Sequence, residues 1–172
     1  MATLLATPAL LVVFPFFMAY AAANDLLTML IPNRISLGLV AAFALIAATG
    51  LLSWSELGLH LGAGLLVLAI TFTLFALGKI GGGDAKLAAA TALWLGFDQL
   101  IDYALVAALA GGALTLALLF ARSHPLPRPV ARLPFALHLH DAKTGIPYGI
   151  ALAFAALIVL PDTLLWTRAL AG

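Results

Sequence analysis

Charge in this chain gathers at the junctions and ends of long apolar segments, and that distribution decides which solvent it can fold in. Six apolar segments run through residues 5–24, 35–52, 57–77, 85–97, 100–121 and 145–166. Only 9% of residues are charged and 65% are hydrophobic, with a mean hydropathy of +1.17. A soluble domain carries about 25% charged residues, so most of this apolar surface has to face lipid. A bilayer admits only backbones that satisfy their own hydrogen bonds, and segments of roughly 20 residues do so as helices. The expectation is an all-α, polytopic membrane bundle of about six transmembrane helices. It forms a single domain over residues 1–172. A net charge of +1 offers nothing to nucleic acid, and the absence of cysteine excludes disulfides and thiolate metal sites.

The fourth segment, at 13 residues, is short for a span, and its status sets the topology. If it crosses, Arg34, Lys79, Lys86, Arg122, Arg128, Arg132 and Lys143 all lie on one face and only Arg168 lies opposite. If it does not, the eight cations divide four to four. The positive-inside rule favours the biased arrangement, with the amino terminus outside and the cation-rich face in the cytoplasm. The proline-rich stretch 122–144 is then a cytoplasmic loop. Ala21-Ala22-Ala23 resembles a signal-peptide cleavage site, but no Lys or Arg precedes Asn24, so the first segment is expected to stay as a span.

Two acids break the pattern. Asp25 and Asp84 both occupy junctions on the expected cytoplasmic side, and Asp84 closes the run Gly81-Gly82-Gly83-Asp84. An ionisable residue at such a depth is a functional-site hypothesis by default. The plain alternative for Asp84 is a helix cap. A cap leaves the glycines unexplained, whereas glycine lets a backbone approach closely. Asp25 lies at the end of its helix, where the macrodipole disfavours an anion. Two carboxyls sharing a site do not both ionise readily, which suits one to act as base and the other as acid in peptide-bond hydrolysis. Lys86 has two readings, a cation that tunes Asp84 or a snorkelling interface anchor.

Asp25 followed by Ile31-Pro32-Asn33, then Gly81-Gly82-Gly83-Asp84 with Lys86, and finally Ile146-Pro147-Tyr148-Gly149, resembles the bacterial prepilin peptidases, membrane aspartic proteases of the GxGD type. The short length resembles the tight-adherence (Flp, type IVb) branch that lacks a methyltransferase domain. The resemblance implies Asp25 and Asp84 as the catalytic pair. It also implies Gly81, Gly83, Lys86, Pro147, Tyr148 and Gly149 as the substrate-binding set. The implied substrate is a membrane-inserted prepilin with a basic leader, cut at the cytoplasmic face of the inner membrane. Pilus assembly proteins are possible further partners, besides the lipid bilayer. No cofactor or metal is implied. With no cysteine and no space between the first two segments, methylation of the product is not expected of this chain.

His138, His140 and Asp141 sit close in sequence, but residues two apart on a helix point about 200° from each other and converge poorly on a metal. Gly58, Gly62, Gly111 and Gly112 read as small residues for close helix packing. The competing classes are a small transporter or channel and a non-catalytic scaffold of a pilus or secretion assembly. The span interiors lack the midplane charges expected of a transporter, and a scaffold would tolerate the loss of either aspartate.

Overall fold

A computed structural model describes residues 7–170, and among these there is helix and no strand. Helix α1 runs Ala9–Thr28. Its first turn, Ala9–Val13, is π-wound beside Pro15, which has no N–H to give to the preceding turn. It stops at Met29, whose left-handed φ of 56° lets its N–H donate to the Asp25 carbonyl. Pro32 then starts α2 (Asn33–Ala48) from extended backbone. Helix α3 (Trp54–Ala76) opens with a capping box in which Ser53 and Glu56 satisfy each other's backbone N–H groups. Then come α4 (Gly82–Leu95), a short 3₁₀ turn at Phe97–Gln99 and α5 (Leu100–Arg122). The expected loop 122–144 is partly helical, carrying a 3₁₀ turn and α6 (Pro134–His140). Helix α7 (Tyr148–Val159) breaks at Leu160–Asp162, where Pro161 interrupts the hydrogen bonding, and α8 (Leu164–Leu170) leaves at 54°.

Among the described residues, each of the six apolar segments is largely helical. Among the described residues, Ala9–Thr28, Trp54–Ala76 and Phe97–Arg122 are long and apolar enough to cross a bilayer, and the bent pair α7–α8 makes a fourth. Helices α2 and α4, at 16 and 14 residues, are shorter. Large apolar side chains such as Leu45, Ile101, Leu109 and Phe120 are two-thirds or more exposed, a surface suited to lipid and not to water.

The core is built around α4. Ala85, Leu87, Ala88, Ala89, Ala90, Thr91, Ala92, Trp94 and Leu95 are all buried, so the helix is covered on nearly every side. A helix that is apolar all round belongs inside. Its alanines let α3 pack along its length, with α2 and α7 on its other flanks. At the end remote from Asp84, the Trp94 indole N–H donates to the Leu39 carbonyl at 3.1 Å and its ring lies 5.0 Å from Phe14. Buried His60 ties α3 to α4 through a 2.7 Å hydrogen bond from Nδ1 to the Leu93 carbonyl. Helices α2 and α3 both lie on α4 with little contact between them, and so do α3 and α7. Each pair leaves a groove over α4.

Candidate active site

Asp84 belongs to the first turn of α4. The cap reading is corrected: α4 starts at Gly82, Gly81 is the cap residue, and Asp84 is the third helical residue. An acid there complements the helix dipole. Its Oδ2 folds back onto Gly81, where a Cβ would lie 2.8 Å away, so only glycine admits this carboxyl position. Its Oδ1 is buried and has no hydrogen-bond partner.

Asp25 lies in the last turn of α1, only 5% exposed. The penalty from its own helix is offset by another helix. The Gly149 N–H, in the first turn of α7, donates to Asp25 Oδ2 at 2.6 Å. Asp25 thus sits at the negative end of α1 and the positive end of α7. Pro147 precedes α7 and is buried, which fixes the direction of this N-terminus.

Ile31 joins the two halves. A Cβ on Gly83 would meet Ile31 Cβ at 2.9 Å, and one on Gly149 would meet Ile31 Cδ1 at 2.6 Å and Asp25 Oδ2 at 2.8 Å. The same isoleucine therefore fills the space above both glycines, between the α4 and α7 starts.

Asp84 opens onto a groove of about 710 Å³ between α3 and α7, walled by Leu74, Ile80, Ile146, Tyr148 and Leu152, with Lys79 and Gly81 at its rim. Asp25 does not line this groove and is buried. The Tyr148 hydroxyl donates to the Ala107 carbonyl at 3.2 Å, and the ring is seated on Gly111, where any Cβ would fall 2.2 Å from it. The packing reading of Gly111 holds, as it does for Gly62 against Phe97, while Gly58 and Gly112 face open space.

A family model described as the type IV leader peptidase family matches residues 12–116, which include both aspartates and the glycine run. The chain belongs to the type IV leader peptidase family. No curated protein and no solved structure matches it. The matched region ends before Gly149, so the α7 N-terminus enters the site through the three-dimensional contact with Asp25.

In this peptidase the sequence-derived residues separate into groups. Asp84, Gly81 and Tyr148 line the groove, while Asp25, Gly149 and Pro147 are buried away from it, Gly149 bonded to Asp25. Two further expected residues lie outside the groove: Ile31 packs over Gly83, and Lys86 lies on the other flank of α4, bonded to Asn33 Oδ1 at 2.9 Å. Two contributors went unrecognised in the sequence. Ile31 was only part of a motif. Arg122, the last residue of α5, donates to the carbonyls of Leu139, Thr144 and Gly145 at 2.8, 3.1 and 3.0 Å, fixing the segment that reaches the groove at Gly145. Its signal was a lone cation in a helix's last turn.

Proposed function

We propose that Asp25 and Asp84 are the catalytic pair of a prepilin leader peptidase serving a Flp-type pilus. The single observation supporting this reading is the packing of Ile31 against both Gly149, which holds Asp25, and Gly83, which precedes Asp84, beside a groove that opens on Asp84. One carboxylate takes a proton from water as the water oxygen attacks the scissile carbonyl. The other carboxyl gives its proton to the departing amide nitrogen. The C–N bond breaks, leaving a carboxylate on the leader and a new amino terminus on the pilin. The pair titrates as a unit, with one proton shared between them. The apolar groove walls suit the substrate's apolar segment, while Gly81 and Tyr148 flank its backbone.

The proposed topology is six crossings of the inner membrane with the amino terminus outside and both acids toward the cytoplasm. A basic leader stays inside by the same rule that orients this chain, which brings the scissile bond to the acids. The test is co-expression with a Flp-type prepilin, scored by leader removal on a gel. Asp25→Asn and Asp84→Asn are each expected to slow cleavage by at least about 100-fold, the usual reach of positioned acid–base groups. Wild-type rates in either variant would refute the mechanism and favour a scaffold role.

A further inference from the structure

On the opposite flank of α4 lies a second groove, of about 520 Å³, between α2 and α3. Its walls are apolar, with Leu37, Leu61, Leu65 and Leu93 among them. Its floor is Ala89 and Ala90, small enough to leave the depth open. From Lys86 to Leu93 it runs seven residues along α4, about 10 Å at 1.5 Å per residue. Polarity is confined to one end, where Asn33, Ser36 and Lys86 stand. No carboxylate lines the groove, and among the described residues Lys86 has no acidic partner. Its ammonium spends one of three donors on Asn33 Oδ1, and Asn33, whose amide N–H groups have no acceptor among the described residues, lines the same groove.

We propose that this groove is a phospholipid site: one acyl chain lies between α2 and α3, and an anionic headgroup is held by Lys86 and Asn33. The argument is charge complementarity at one end and apolar complementarity along the rest. An open apolar groove in a bilayer is filled by hydrocarbon in any case. The unpaired cation at its mouth selects which headgroup comes with the chain, as basic pockets between membrane helices do. The site is separate from the aspartates, because Lys86 points away from them, so the inference does not depend on the catalytic reading.

The test is native mass spectrometry of the full chain released from nanodiscs of phosphatidylcholine and phosphatidylglycerol in equal amounts. The wild type is expected to retain one phosphatidylglycerol with about fivefold preference, the equivalent of roughly 1 kcal/mol for one interfacial cation. Lys86→Gln is expected to abolish the preference while still retaining lipid. Leu65→Trp, which fills the groove from a position already exposed, is expected to lose retention of both. No preference in the wild type, or an undiminished preference in Lys86→Gln, would overturn the proposal. So would a prepilin occupant. The chain has no native cysteine, so a crosslink from Leu65→Cys to a co-expressed prepilin, formed in place of lipid retention, would show that case.

Discussion

Gly149 carries the heaviest steric constraint at the acids, and replacing it with alanine isolates what the α7 N-terminus contributes. The new Cβ would stand 2.6 Å from Ile31 Cδ1, 2.8 Å from Asp25 Oδ2 and 3.1 Å from Asp25 Cγ. Ordinary contact begins at 3.4 Å, so the carboxyl oxygen must retreat by about 0.6 Å and Ile31 by about 0.8 Å. Asp25 is buried and Ile31 partly buried, and Ile31 also lies close over Gly83, so the adjustment falls on the site itself. The 2.6 Å bond from the Gly149 N–H to Asp25 lengthens or breaks. Overpacking costs about 1–3 kcal/mol and a lost bond to a charged group about 1.5–3 kcal/mol. A displacement approaching 1 Å at a reacting group lowers rates by about 100-fold. The expectation for Gly149→Ala is a fall of about 100-fold in leader cleavage with a clear drop in melting temperature. Gly112→Ala, with nothing within 4 Å of its Cβ, serves as the control. A Gly149→Ala enzyme that cuts within twofold of wild type would show that Asp25 is not held by α7 in the working state.

Gly111→Ala drives a Cβ to 2.2 Å from the Tyr148 ring and is expected to cut cleavage at least tenfold, while Gly112→Ala one residue on is silent; equal effects in the same prepilin assay would refute the seating of Tyr148. Arg122→Gln removes the guanidinium that gathers three carbonyls beside the groove. It should raise KM about tenfold, or about 1.4 kcal/mol in kcat/KM, with kcat nearly unchanged. A fall confined to kcat would contradict a positioning role.

The two acids were legible because a carboxylate at an apolar junction is too costly to be incidental, and the six helical segments because apolar length sets them. Helix ends were less so. Asp84 reads as a cap until Gly82 and Gly83 are seen to be helical, and glycine's low propensity hides that turn. That Lys86 faces the other flank of α4 is legible in the sequence, since two residues along a helix turn about 200°. Ile31 was beyond reach. Its role depends on Gly83 and Gly149 meeting it from distant parts of the chain, and no local pattern records that. The glycines invited a reading as room for substrate, yet much of that room is taken by the chain's own Ile31 and Asp84 side chains.

The short α4, set against the long α3, has the effect of a depth gauge. Thr71 of α3 bonds to the Ala85 carbonyl, which places Asp84 level with the turn around residue 71. Helix α3 continues to Ala76, five residues further, or about 7 Å at 1.5 Å per residue. Residues 77–81 then descend again along the groove to reach α4. Asp84 therefore stands recessed below the end of the longer helix, in a well rather than on a surface. A substrate can be cut only where its chain dips to that level, and at that level an extended backbone has lost its water. On this reading the site of cleavage is chosen by distance from the membrane boundary as much as by side-chain identity. Lengthening α3 by one turn should shift the cut along the substrate without touching either aspartate.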